Sequence, residues 1–168
     1  SSSITEWTCS TTEASLEVAT DASNPGDYNY EWLELGCGAD IIVDNGDEIT
    51  VSGPCDYSVI VTNPINGCSI EDQFTIVENV DLPVVEDVLP TAILNCDPEE
   101  AALTAASPTG NVEFEWSLNN TVVSNLANFS ATELGTYVLT VTNLDNDCEE
   151  TAQTEVIPAD NPTVTAGS

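Results

Sequence analysis

The sequence predicts an all-β protein of two tandem antiparallel β-sandwich modules set end to end, and three observations carry that prediction. The first is duplication. Tyr30-Glu31-Trp32, Tyr57-Ser58-Val59-Ile60-Val61-Thr62-Asn63 and Cys68 return as Phe114-Glu115-Trp116, Tyr137-Val138-Leu139-Thr140-Val141-Thr142-Asn143 and Cys148. Tyr57 and Tyr137 are 80 residues apart, as are Cys68 and Cys148, whereas Trp32 and Trp116 are 84 apart, so the copies differ by an indel between those landmarks. A unit of this length exceeds a solenoid repeat and matches one small β-domain. The second observation is alternation of apolar and polar residues with period 2, and the third is the turn clusters that interrupt it.

The elements follow in order. Ala14 to Thr20 places Leu16 and Val18 on one face, and Tyr28 to Leu33 aligns Tyr28, Tyr30 and Trp32. Ile41-Ile42-Val43 and Glu48-Ile49-Thr50-Val51 flank Asp44-Asn45-Gly46-Asp47. Tyr57 to Val61 aligns Tyr57, Val59 and Val61, and Phe74 to Val77 closes the first copy. Asn24-Pro25-Gly26-Asp27 and Asn63-Pro64-Ile65-Asn66-Gly67 supply turns. The second copy repeats the scheme with Ala102–Ala105, Val112–Trp116, Thr121–Val123, Asn128–Ser130, Tyr137–Val141 and Thr154–Ile157. Roughly seven strands per copy suit a small sandwich. A Trp on the third strand and a Tyr opening the sixth form the immunoglobulin-like arrangement, which makes Trp32, Trp116, Tyr57 and Tyr137 core or corner residues. Trp7 has no aromatic counterpart in the second copy and is expected to be exposed or at a module junction.

The expected boundaries are 1–80 for the first module and 81–161 for the second. Asp81-Leu82-Pro83-Val84-Val85 opens the second copy, and Asp160-Asn161-Pro162-Thr163-Val164 resembles the opening of a third. Residues 162–168 are therefore read as the start of a following module or as an exchanged strand, against the simpler reading of a frayed terminus.

Composition excludes several functions. The 168 residues hold 30 Asp and Glu and no Lys, Arg or His, for a formal charge of −30. Nucleic-acid phosphates and anionic membranes are excluded as partners, because both are bound through basic side chains. Side-chain salt bridges and Lys–Asn isopeptide links are impossible, and trypsin-like proteases have no site to cut. The high charge favours solubility and opposes compaction. An apolar fraction of 41% and clear strand alternation argue against disorder. Six Cys in a short acidic chain point to an oxidising, extracellular or cell-surface setting. No signal peptide is apparent, so the chain is read as mature. No apolar run approaches a membrane span. With neither His nor Cys-x-x-Cys, structural zinc is not expected.

Tyr30-Glu31-Trp32, Leu134-Gly135-Thr136-Tyr137, the Val-Thr-Asn strand ends and Asn66-Gly67-Cys68 together resemble the Ig-like and PKD-like repeats of Bacteroidota surface proteins, including gliding-motility adhesins. Gly53-Pro54-Cys55-Asp56-Tyr57 departs from that pattern in the first copy. The resemblance covers both modules. It implies a surface location and a role as stalk, adhesin or filament subunit. It also implies one disulfide inside each module, Cys9–Cys68 and Cys96–Cys148. Cys37 and Cys55 occur only in the first copy and would pair with each other. Six Cys allow 15 connectivities, and a bridge needs Cα atoms closer than about 7 Å. Since the first Cys of a copy and its last tend towards opposite ends of a sandwich, links between neighbouring modules are the alternative.

Asp44, Asp47, Asp145 and Asp147 lie in acidic loops that would suit Ca²⁺, although neither loop has EF-hand spacing and Asn45-Gly46 also reads as a plain turn. Asn119 and Asn128 begin glycosylation sequons, which in a bacterial protein are more often coincidence. Catalysis is not expected, for there is no His or Lys base and no Arg to hold an oxyanion. Glu113 and Glu115 share a strand face, but among 30 acids such neighbours arise by chance. The expected function is a non-enzymatic module of an extracellular fibre, filament or stalk. Its partners would be copies of itself or neighbouring modules, joined by strand pairing or disulfides. The alternative is an adhesin that binds a glycan or protein through its loops. That reading requires exposed aromatics, for which only Trp7, Phe129 and Tyr28 are candidates.

Overall fold

The computed structural model describes residues 4–20, 28–37 and 46–160. Expected features that fall outside them are the strand at Ile41-Ile42-Val43, the turn at Asn24–Asp27, Asp44, and the lead at 161–168. The chain divides into two compact units, Ser1–Val80 and Asp81–Ser168.

The first unit contains β1 (Ile4–Trp7), β2 (Ala14–Glu17), β3 (Asn29–Leu35), β4 (Glu48–Val51), β5 (Asp56–Thr62) and β6 (Ser69–Glu78). One sheet runs β1-β6-β5-β3 and a second is the pair β2-β4. The second unit contains β7 (Thr91–Leu94), β8 (Ala101–Leu103), β9 (Val112–Leu118), β10 (Thr121–Ser124), β11 (Phe129–Ala131), β12 (Gly135–Asn143) and β13 (Cys148–Pro158). Its sheets run β10-β9-β12-β13-β7 and β11-β8. Every described element is a strand or a connection, and each unit is an immunoglobulin-like β-sandwich. In both units the first strand pairs parallel with the last, β1 with β6 and β7 with β13, while the other ladders are antiparallel.

Period-2 alternation decides which residues become core. On β12, Tyr137, Leu139 and Val141 point inward beside Trp116, and on β5 Tyr57, Val59 and Val61 do the same beside Trp32. Both tryptophans are fully buried. Trp32 Nε1 donates to the Gly46 carbonyl at 3.1 Å, whereas Trp116 Nε1 has no acceptor among the described residues. Trp7 is half-buried against the first core, which corrects the expectation of an exposed tryptophan. The parallel ladder β1–β6 draws it in, setting Trp7 opposite Glu78.

Tyr57 and Tyr137 close both sandwiches at the same corner. Tyr57 Oη donates to the Gly53 carbonyl at 2.9 Å and Tyr137 Oη to the Glu133 carbonyl at 3.0 Å. Burial raises the Tyr137 phenol above its ordinary value; the bond to Glu133 opposes this and the Glu133 carboxylate adds to it. Burial, then the Glu34 carboxylate, raises Tyr57 likewise. The folded state therefore favours the protonated phenols. Their contribution is whole below the ordinary value of 10.0 and is lost as pH rises through and beyond it, where the unfolded chain ionises first. Tyr137→Phe is expected to cost about 1 kcal/mol at neutral pH by loss of one hydrogen bond. It is also expected to flatten the alkaline decline, and urea melts between pH 7 and 11 check both.

Among the described residues no acid is buried, and the sequence holds no basic side chain to neutralise them. Glu17 stands directly opposite Glu48 across β2 and β4, an unfavourable like-charge pair. Raising NaCl from low concentration is expected to raise the melting temperature, since screening weakens self-repulsion. Glu17→Gln should reproduce part of that gain at low salt and none at high salt. Thermal melts across a salt series test it, and an unchanged midpoint would refute the repulsion argument.

Candidate functional site

The hairpins and turns that carry the cysteines lie at the two ends of each sandwich. One end holds the hairpin before the last strand. In the first module Asn63 and Asn66 build it: Asn63 Oδ1 accepts from Ile65 N at 2.9 Å and Asn66 Oδ1 from Cys68 N at 2.9 Å. Gly67 N donates to the Asn63 carbonyl at 2.8 Å, and Gly67 has φ +73°. In the second module Asn143, Asn146 and Asp147 make the same bonds, and Asp147 has φ 57°. Short side-chain amides satisfy local N–H groups that a tight turn leaves open. The spacing Asn-x-x-Asn-x-Cys in both copies carries this signal, which the turn assignment at Asn63–Gly67 captured only in part.

The segment that leads into the second module crosses this hairpin end. Asn146 Nδ2 donates to the Asp81 carbonyl at 2.9 Å, and Pro83 is buried. The hairpin end is therefore the proximal pole, where the chain comes in. The distal pole holds the turn after the first strand. Ala159 N donates to the Leu94 carbonyl at 3.1 Å as the chain leaves, and Asn95 and Glu100 close the turn that carries Cys96. In the first module Asn79 N likewise donates to the Trp7 carbonyl at 2.8 Å, beside the turn that carries Cys9.

This arrangement corrects the pairings Cys9–Cys68 and Cys96–Cys148. Cys148 begins a strand of 11 residues whose far end, Pro158, lies level with Leu94, two residues before Cys96. Cys68 precedes a strand of 10 residues whose last residue, Glu78, lies level with Trp7, two residues before Cys9. At about 3.3 Å per residue the partners lie roughly 30 Å apart, against a limit near 7 Å for a disulfide. Cys68 and Cys96 are exposed free thiols, while Cys9 and Cys148 are disulfide-bonded.

Cys37 and Cys55 are joined, with Cα atoms 6.2 Å apart. The bridge sits just beyond the last ladder pair of β3 and β5, Leu35 opposite Asp56. Glu34, Cys37 and Cys55 are also the one group of three potential metal ligands among the described residues. With the two sulfurs bonded to each other, no thiolate is available there. In the second module the place of Cys55, two residues before the corner tyrosine, is taken by Gly135. Gly135 has φ +142°, and a Cβ there would meet Leu118 Cδ1 at 3.0 Å.

The remaining candidate residues do not converge. Asp47, Asp145 and Asp147 are exposed, and none belongs to a group of three potential ligands among the described residues. Asp145 Oδ1 accepts from Asn111 Nδ2 at 2.6 Å, so it serves the loop itself. Asn119 and Asn120, with φ 50° and 61°, form the two-residue turn of the β9–β10 hairpin. Two consecutive positive φ values match a type I′ turn, for which Asn is favoured. Asn128 Oδ1 accepts from Ala105 N at 3.2 Å, a cap on β8 that also accounts for its presence. Phe129 packs between Trp116 and Tyr137, with ring centroids 5.8 and 5.9 Å apart, and Tyr28 lies against the first core. A cleft of about 550 Å³ beside Tyr28, Val18 and Ile70 includes Cys68 in its wall.

No protein-family model matches the chain, and no curated protein does. Solved structures do match. Three N-terminal domains of the Highly Immunogenic Outer Capsid protein (Hoc) of bacteriophage RB49 align with TM-score 0.51 and 18% identity, over 87% of this chain and 54% of that one. Sidekick-1 immunoglobulin domains 1–4 align with TM-score 0.38 and 13% identity, over 94% and 49%. The N-terminal four Ig domains of Dscam1 isoform 1.9 give 0.38 and 12%, over 94% and 43%. The chain thus spans about half the length of these structures. At such identities the likeness to Hoc concerns the fold, and it agrees with tandem immunoglobulin-like sandwiches.

Proposed function

We propose that this chain is a non-enzymatic structural segment of an extracellular fibre, filament or stalk on a bacterial surface, of the kind found in Bacteroidota surface repeats. The observation that carries the reading is the course of the chain through the second module. It comes in at the hairpin pole, where Asn146 holds Asp81, and leaves at the opposite pole, where Leu94 holds Ala159. A module traversed from pole to pole lengthens a chain, whereas a binding domain needs only a displayed loop. The buried aromatics support the same reading, since Trp32, Trp116, Phe129 and the corner tyrosines serve the cores.

Electron microscopy and native mass of the protein purified from its source, together with immunogold labelling of cells, test the proposal. Thread-like assemblies far heavier than 17.7 kDa, with surface label, are expected. A single species near the chain mass and no surface label would overturn it. The adhesin alternative rests on the cleft beside Tyr28. Glycan-array binding abolished by Tyr28→Ala in a folded protein would favour it.

A further inference from the structure

The two free cysteines occupy positions whose counterparts in the other module are oxidised. Cys68 ends the same asparagine-built hairpin as Cys148, at the proximal pole, and Cys96 lies in the same first turn as Cys9, at the distal pole. Cys148 and Cys9 are disulfide-bonded, whereas Cys68 and Cys96 are free and exposed. The separation of roughly 30 Å along the sheet excludes closure within a module.

We infer that Cys68 and Cys96 are polar linking points. The first-turn thiol at the distal pole of one copy joins the hairpin thiol at the proximal pole of the next, which makes a head-to-tail, covalently stapled array. The inference rests on the fibre reading and names its joint. The oxidant is a disulfide, RSSR. A Cys68 thiolate attacks one of its sulfurs and releases RSH, and the Cys96 thiolate of a second copy then displaces the other RSH. Two protein thiols and one RSSR give one protein disulfide and two RSH. The pairing is heterologous, so it propagates instead of closing into a dimer. The charge of −30 opposes approach of two copies, and the reaction therefore needs salt.

The test uses the whole chain and the variants Cys68→Ser and Cys96→Ser in oxidised and reduced glutathione at about 1 M NaCl, where screening acts within roughly 3 Å. Wild type should give a ladder of oligomers that collapses on reduction. Each variant alone should remain monomeric, and an equimolar mixture should stop at a dimer. Glu- or Asp-directed proteolysis and mass spectrometry of that dimer should yield a Cys68–Cys96 peptide pair. Absence of a ladder, or variants that dimerise alone as readily as in mixture, would overturn the inference. The two proposals fail separately. Source-derived fibres that survive reductant, with Cys68 and Cys96 alkylated beforehand without reduction, would remove the staple and leave the fibre. Absence of any assembly from the source would remove the fibre reading itself.

Discussion

Trp116→Ala is expected to destabilise the second module by about 3–5 kcal/mol, the range for deleting a fully buried aromatic side chain. A domain of this size has of order 4–12 kcal/mol to lose, so the change removes much of its stability and can unfold it outright. Trp116 stands on β9 beside its ladder partner Leu139 of β12, and its ring packs at a tilt against Phe129 of β11. Loss of packing accounts for the effect, because Trp116 Nε1 has no acceptor among the described residues. The readout is built into the sequence. The remaining tryptophans, Trp7 and Trp32, both belong to the first core, so their fluorescence follows that module. Calorimetry should show one transition moved far down or lost, while the fluorescence transition keeps the midpoint of the first module. A fluorescence midpoint that falls by the same amount would show that the two cores unfold as one unit.

Removal of the Cys37–Cys55 bridge by double substitution to serine is expected to cost the first module about 3 kcal/mol. The bridge spans 18 residues, and closure of a loop of about that length restricts the unfolded chain by that amount. The second module has Gly135 in the place of Cys55 and serves as the internal control. Urea unfolding should show the first transition shifted and the second unmoved. A shift below about 0.5 kcal/mol would mean that the β3–β5 ladder holds this end without the bridge. The effect exceeds that expected for Tyr137→Phe, since one neutral hydrogen bond contributes only about 1 kcal/mol net.

Much of the fold was legible because its signals are local. Alternation along Tyr137–Val141 and Tyr57–Val61 assigns the inward face without reference to any partner, as a strand has only two faces. Trp32 and Trp116, placed by their distance from those strands, fall in the cores for the same reason. The first strands, Ile4–Trp7 and Thr91–Leu94, were missed because neither Ile4-Thr5-Glu6-Trp7 nor Thr91-Ala92-Ile93-Leu94 alternates apolar and polar residues. Trp7 was expected to be exposed or junctional because the second copy has no aromatic at its place. Asn119 and Asn120 also fill the two positive-φ positions of a hairpin turn, which only the backbone angles reveal.

By itself the sequence determined the duplication, the sandwich class, and the core tryptophans and corner tyrosines, each of which follows from residue type and short spacing. Only the tertiary structure decided which cysteines can meet. Their separation depends on the parallel pairing of the first strand of a module with its last, between residues about 70 positions apart in sequence. That register puts the two repeat cysteines of a module at opposite poles, and no local pattern encodes it.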